Sequence, residues 1–172
     1  FSALAEPTLL LGLAALSFKT ASYSLSTMLP GISSRTWAAE GPALAMIAVS
    51  MMVILLAENA RIPVDDPNTH LELTMIHEVM VLDHSGPDFA FIQYAAALKA
   101  WVLGSLIVGI LLPAFSSSRP LMLACFIGGM LLLALTVGLV ESGMARLRLL
   151  RVPQLLVAAG ALSVFAFMLV VR

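Results

Sequence analysis

Five long apolar blocks dominate the sequence and restrict what the chain can fold into. They cover residues 7–28, 42–57, 89–115, 120–140 and 152–171. A helix needs roughly 20 apolar residues to cross the hydrocarbon core of a bilayer, and the blocks approach or reach that length. Their apolar residues are continuous rather than alternating, which favours helices over the strands of a membrane barrel. The sequence therefore predicts an all-α, polytopic transmembrane helical bundle with about five spans.

The composition agrees with a membrane protein and excludes several other classes. Hydrophobic residues make up 60% of the chain and charged residues 11%, whereas soluble domains average about 25% charged residues. A formal net charge of −1 argues against a nucleic-acid-binding surface. The single cysteine, Cys125, excludes a disulfide framework. It also excludes an iron–sulfur cluster held by this chain alone, because such a cluster needs about four thiolates.

Prolines stand at both ends of the first predicted span, and the start of the chain suggests that it belongs to a longer subunit. Pro7 is placed as at a helix start, and Pro30 follows the predicted end of the first span. The chain enters an apolar segment almost at once, without the positive region of a signal peptide. We therefore expect residues 1–172 to form a single membrane domain that belongs to a longer subunit.

The segment 58–88, between the second and third spans, is acidic. It holds seven of the ten carboxylates of the chain. Thr69 can cap a short amphipathic helix over residues 70–81, with Glu72 three positions later. Five spans would place this loop on the same side as the arginine-rich segment 141–151, and arginines favour the cytoplasmic side. We predict an acidic amphipathic loop in the cytoplasm.

Several charged residues lie inside the predicted spans or at their ends. They are Glu6, Lys19, Glu40, Glu58, Lys99 and Glu141. Such groups are costly in a membrane and usually pair or line a hydrated path. Burial raises the pKa of a carboxylate and lowers that of a lysine, so groups of both kinds suit a proton relay. For Glu40 and Glu141 a position among the lipid headgroups is the alternative.

Two features bear on the placement of these charges and on metal binding. Glu6 and Lys19 would lie about 20 Å apart along a helix, so they cannot pair directly, and we expect Lys19 to face the bundle interior. The histidines His70, His77 and His84 recur at a spacing that metal-binding pairs do not favour. We therefore predict neither a metal site nor a catalytic residue in this chain.

Residues 57–65 carry a resemblance to a known family. They read Ala-Glu-Asn-Ala-Arg-Ile-Pro-Val-Asp, which resembles the Glu-x-x-Arg/Lys-x-Pro-Phe/Val-Asp signature of the complex I subunit 1 family. In that family an acidic stretch ending in Glu-Leu and then a Tyr/His-Ser-Gly follow. The positions are filled here by Glu58, Arg61, Pro63, Asp65, Glu72, Leu73, His84, Ser85 and Gly86. Glu6 looks like the glutamate of the family's fourth span, so the chain resembles the family's last five spans.

A second stretch distinguishes two branches of that family. Residues 141–148 resemble the Glu-x-x-x-Ala-Arg-x-Arg of the branch linked to group 4 hydrogenases, which includes the hydrogenase-4 and formate hydrogenlyase membrane subunits. The quinone-reducing branch usually has Arg-x-Arg-Tyr-Asp-Gln there. Asn68 and His70 also stand where that branch often has acids. The resemblance therefore favours the hydrogenase-linked branch.

The resemblance implies a membrane subunit, without a redox centre of its own, that couples electron transfer elsewhere to proton or sodium translocation. The implied relay residues are Glu6, Lys19, Glu58, Asp65, Glu72, Glu78, Lys99 and Glu141. The residues implied in ion pairing or docking are Arg61, Asp66, Asp83, Arg146 and Arg148. In the relay, the acids of the loop would pass protons to Glu6 and Glu141, while Arg61 would hold carboxylates in place.

The resemblance also implies partners and a location. The partners would be a hydrogenase-like large subunit, an iron–sulfur small subunit and antiporter-like membrane subunits, in contact with membrane lipid. The iron–sulfur clusters and a NiFe centre, or a quinone, would sit in or next to those partners. The location would be the cytoplasmic membrane of a prokaryote.

Three other interpretations stay open at this point. The chain could belong to the quinone site of an NADH:quinone oxidoreductase. It could be a stand-alone ion-coupled transporter, although such transporters often contain inverted repeats and none is visible here. It could also be a structural anchor whose acidic loop serves only for docking.

Overall fold

The computed structural model describes residues 2–59, 61, 64, 86–112, 119–143 and 152–172. Six helices and no strands lie within these residues. The helices are α1 (Ser2–Thr20), α2 (Leu25–Met28), α3 (Ser34–Glu58), α4 (Pro87–Leu111), α5 (Arg119–Gly143) and α6 (Val152–Val171). Helices α3 to α6 are each long and apolar enough to cross a membrane. The predicted all-α membrane bundle is therefore confirmed.

The first predicted span differs most from the structure. It was expected to run over residues 7–28, but α1 covers Ser2–Thr20 and the short α2 follows after a break. Pro7 lies inside α1 rather than at its start. The break follows from the backbone at Ala21, which has φ 49°, while the Ser22 N–H donates to the Ser17 carbonyl at 3.2 Å. This is a Schellman-type helix end, at which glycine is the usual residue.

Helix α3 begins earlier than predicted and is kinked. The Ser33 side chain accepts a hydrogen bond from the Thr36 N–H, and the Thr36 hydroxyl accepts one from the Ser33 N–H. This capping box starts the helix at Ser34, before Pro42. Glu40 has φ −130° and ψ 26°, outside the helical range. Pro42 explains this kink, because its ring clashes with the preceding turn and it lacks an N–H donor.

Helices α1, α3 and α6 pack against one another and form the centre of the described bundle. α3 also packs against α4. Small residues allow the close approach. A Cβ at Gly12 would lie 3.4 Å from Met51 Cε, and one at Gly160 would lie 3.3 Å from Thr8 Oγ1. Small residues at helix contacts are typical of membrane bundles, in which close packing rather than the hydrophobic effect holds helices together.

Helix α5 lies at the edge of the described bundle. It packs mainly against α4, and it has no buried side chain. Two hydrogen bonds connect α3 to its neighbours α4 and α6. The buried Ser50 hydroxyl donates to the Ala159 carbonyl of α6 at 3.0 Å. The Trp37 Nε1–H donates to the Ile110 carbonyl at 3.0 Å, which satisfies one of the unpaired carbonyls at the end of α4.

Candidate functional site

Six of the charged residues predicted for proton transfer or ion pairing lie in the described part of the chain. They are Glu6, Lys19, Glu58, Arg61, Lys99 and Glu141. The other predicted residues lie outside the described residues, as do the expected helix over residues 70–81 and the three histidines. Those other residues are Asp65, Asp66, Glu72, Glu78, Asp83, Arg146 and Arg148.

A cavity of about 510 Å³ brings three of the six together. Glu6 of α1, Glu58 of α3 and Lys99 of α4 all line it, and we name it the charged cavity. The rest of its wall is apolar, with Leu9, Ile54, Leu98 and Leu103 among the lining residues. Two carboxylates and one ammonium group thus share an otherwise apolar space between three helices.

An ion pair crosses the charged cavity from α3 to α4. Lys99 Nζ contacts Glu58 Oε2. The Glu58 side chain is 14% exposed, so its carboxylate depends on protein partners more than on water. Glu6 of α1 also lines the cavity, and it makes no ion pair with another described residue. The cavity therefore holds a paired carboxylate and a second carboxylate contributed by a neighbouring helix.

A second ion pair lies beyond the end of α3. Arg61 Nη1 donates to Glu141 Oε1 at 3.2 Å and thereby joins the chain after α3 to the last turn of α5. Both residues line a second cavity, of about 490 Å³, whose wall also includes Asn59 and Trp101. The resemblance implied that Arg61 holds carboxylates in place, and in the structure its guanidinium donates to Glu141.

A third ion pair, between Lys19 and Glu40, lies at the opposite end of α1 and α3. Lys19 was expected to face the bundle interior, but its side chain is 35% exposed and sits in the last turn of α1. The reason is that α1 ends at Thr20, so Lys19 is not deep within a longer span. Glu40 was named among the charged residues that suit a relay, with a headgroup position as the alternative, but its pairing with Lys19 was not predicted. Opposite charges near the end of the first predicted span and just before the second were the signal that could have revealed this pair.

The ion pairs occupy two levels of the bundle. Glu6 lies near the start of α1, Glu58 is the last residue of α3, and both line the charged cavity. Lys19 lies next to the end of α1, and Glu40 lies near the start of α3. The two helices therefore run antiparallel, with one set of charges at each end. Among the residues that the structure describes, no three histidine, cysteine or acidic side chains come together as a metal site.

The model of the NADH dehydrogenase family matches residues 2–171, which include every helix of the described bundle. No curated protein and no solved structure matches the chain. The matched range covers all four helices that are long and apolar enough to cross a membrane. The chain belongs to the NADH dehydrogenase family and is a multi-pass membrane subunit of a complex I-like, multisubunit oxidoreductase.

Proposed function

We propose that this subunit couples electron transfer in peripheral subunits to proton translocation, within an oxidoreductase linked to a group 4 [NiFe]-hydrogenase. The observation that carries the proposal is the charged cavity, in which Glu6, Glu58 and Lys99 meet from three helices. Charged groups within a membrane bundle are expensive, and they commonly mark ion pathways.

The charged cavity has the chemistry that a proton relay requires. Its volume of about 510 Å³ gives room for several waters, since one water takes about 30 Å³ in the liquid. A proton on the Glu58 carboxyl can pass through such waters to Glu6. The Lys99 ammonium contacts Glu58 and compensates the negative charge that remains when the proton leaves. Each group thus has a distinct role in a transfer from α3 to α1.

The acidic segment supplies the input to this relay in our proposal. Asp65, Glu72 and Glu78 would collect protons on the cytoplasmic side and pass them to Glu58. Asp66, Asp83, Arg146 and Arg148 would dock the peripheral subunits. The Arg61–Glu141 pair would connect this region to α5, since it joins the chain after α3 to the end of that helix. Glu141 and Lys19 would take part in later steps.

The choice of the hydrogenase-linked branch rests on residues 141–148. The partners would accordingly be a hydrogenase-like large subunit with a NiFe centre, an iron–sulfur small subunit and antiporter-like membrane subunits. This chain would bind none of those redox centres. The complex would lie in the cytoplasmic membrane of a prokaryote.

Purification of the intact complex from native membranes in mild detergent tests the branch. We expect a nickel–iron large subunit, an iron–sulfur subunit and antiporter-like proteins to co-purify with hydrogen-evolving activity. NADH oxidation coupled to quinone reduction, without hydrogenase activity, would instead assign the chain to a quinone-reducing complex. Recovery of the chain alone, in an ion-transporting form, would contradict both assignments and favour a transporter.

A variant of Glu58 tests the relay within the purified complex. Glu58→Gln removes the proton-accepting carboxylate and keeps the size of the side chain. We expect electron transfer to continue while the number of protons moved per electron pair falls. Asp88→Asn is the matched control, because Asp88 lies exposed in the first turn of α4 and does not line the charged cavity. Full proton pumping by an assembled Glu58→Gln complex would refute the relay.

A further inference from the structure

The Lys19–Glu40 ion pair lies far from the charged cavity along the same two helices. Along α1, Lys19 is about 20 Å from Glu6, at a rise of 1.5 Å per residue. Along α3, Glu40 is about 27 Å from Glu58 on the same basis. The hydrocarbon core of a bilayer is about 30 Å thick. The two charged sites are therefore separated by most of the thickness of a membrane.

Glu40 lies at the kink of α3, where the regular helix begins. The helix after the kink covers 18 residues, 41–58, and spans about 27 Å, close to the thickness of the hydrocarbon core. A helix of that length places Glu40 near the edge of the apolar layer. Its side chain is only 19% exposed. A carboxylate at such a position needs a partner, and Lys19 supplies it.

The Pro42 kink and the end of α1 bring this pair together. Glu40 has the non-helical backbone angles of the kink, and Lys19 is in the turn that precedes the helix end at Thr20. The pair thus depends on two interruptions of regular helix, one in each helix. Interrupted helices in membrane proteins often lie at ion sites, where irregular backbone is tolerated because it lines a cavity.

Close apolar packing separates the pair from the charged cavity. A Cβ at Gly12, about midway along α1, would lie 3.4 Å from Met51 Cε and 3.5 Å from Ile47 Cγ2. Ala15 and Leu16 of α1 are also buried at this level. A pump requires such a closed section, because a continuous water path between two proton-binding sites would let protons flow back. The Lys19–Glu40 pair is therefore a separate site and not an extension of the charged cavity.

We propose that the Lys19–Glu40 pair is a proton-exchange site at the membrane face opposite the charged cavity. When the packed section between the two sites opens to water, a proton that leaves the cavity passes along that water to the Glu40 carboxylate and breaks its ion pair with the Lys19 ammonium. The proton then passes to water on that face, and the ion pair forms again. The inference rests on the proposed function, since it assigns the exit of the same proton path.

Three variants of the pair and one control variant distinguish this role from a purely structural contact between α1 and α3. Glu40→Gln removes the titratable group but keeps a hydrogen-bond acceptor for Lys19. The double variant Lys19→Met/Glu40→Leu replaces the ion pair by an apolar contact of similar volume, an exchange that often preserves or improves stability. Glu40→Asp keeps the carboxylate. Asp88→Asn again serves as the control for loss of an exposed carboxylate.

The experiment uses the purified, complete complex in proteoliposomes, and it measures both electron transfer and protons moved per electron pair. With an uncoupler present, we expect all four variants to transfer electrons within twofold of the native rate. We expect Glu40→Gln and the double variant to move at least fivefold fewer protons per electron pair. Glu40→Asp should recover most of the native ratio, and Asp88→Asn should keep it.

Two results would overturn the exchange site. If the double variant pumps at the native ratio, the pair only holds α1 against α3. If the double variant fails to assemble although it leaves no charge unpaired, the pair is likewise structural. The Glu58→Gln variant separates these failures from failure of the proposed function. Loss of pumping in Glu58→Gln with native pumping in the double variant refutes only the exchange site, whereas native pumping in Glu58→Gln refutes the relay itself.

Discussion

The hydrogen bond from Ser50 to α6 should make a measurable contribution to the stability of the bundle. Ser50 is 1% exposed, and its hydroxyl lies 3.0 Å from the Ala159 carbonyl of α6 and 2.9 Å from the Met46 carbonyl of its own helix. Ser50→Ala removes both contacts and little volume. The change also replaces serine by the best helix former, which favours the helix by a few tenths of a kcal/mol.

A matched substitution isolates the bond between the helices. Within the described part of the chain, the Ser105 hydroxyl donates only to the Val102 carbonyl of its own helix, at 2.8 Å. Ser105→Ala therefore has the same effect on helix propensity without the loss of an interhelical bond. Hydrogen bonds between membrane helices contribute about 0.6 kcal/mol on average and at most about 1.7 kcal/mol. We expect Ser50→Ala to lower the free energy of unfolding by about 1 kcal/mol more than Ser105→Ala.

The free energies can be measured by titration with sodium dodecyl sulfate in bicelles, with helix content followed by circular dichroism. A difference of 1 kcal/mol corresponds to about a fivefold change in the unfolding equilibrium constant. Equal stabilities of the two variants would show that the bond between α3 and α6 does not stabilise the bundle. A difference above about 3 kcal/mol would show that Ser50 acts through more than this hydrogen bond.

Three further substitutions test the packing and the helix ends by the same unfolding measurement. Gly12→Leu should destabilise the bundle by about 2 kcal/mol, because its side chain would enter the α1–α3 contact. Gly128→Leu should change stability little, because a Cβ at Gly128 would have no atom of the described residues within 4 Å. Equal effects would contradict the packing. Trp37→Phe should cost about 1 kcal/mol through loss of its hydrogen bond to an α4 carbonyl, while Trp101→Phe, at an exposed position, should cost less. Ala21→Gly should stabilise the chain by about 1 kcal/mol, because glycine adopts a positive φ without strain; a decrease would show that Ala21 is not in that conformation.

The sequence predicted the helical architecture well because length and apolar character act locally. Each of α3 to α6 corresponds to one predicted apolar block. α6 has the predicted bounds, α3 and α5 extend beyond their blocks at both ends, and α4 begins and ends a few residues earlier than its block. The first block was harder to interpret. An alanine at position 21 ends α1 in a conformation that normally calls for glycine, so nothing in the local sequence marked the break.

The candidate site could be predicted only in part, because the sequence shows which residues are charged but not which helices bring them together. Glu58 and Lys99 were both selected as charged residues of apolar spans, yet their contact depends on how α3 packs against α4. Glu40 was underrated for a related reason. The second span was predicted to begin at residue 42, whereas the capping box at Ser33 starts α3 earlier, so Pro42 lies inside the helix next to its kink.

The most direct test of the proton relay is a substitution of Glu6 in the intact complex. Glu6 lines the charged cavity without an ion pair to another described residue, so Glu6→Gln leaves the Lys99–Glu58 pair in place. The measurement is the number of protons moved per electron pair in proteoliposomes, with the electron-transfer rate recorded alongside. We predict near-native electron transfer with a clear loss of proton pumping. A native ratio of protons to electrons in the Glu6→Gln complex would contradict the role of the charged cavity.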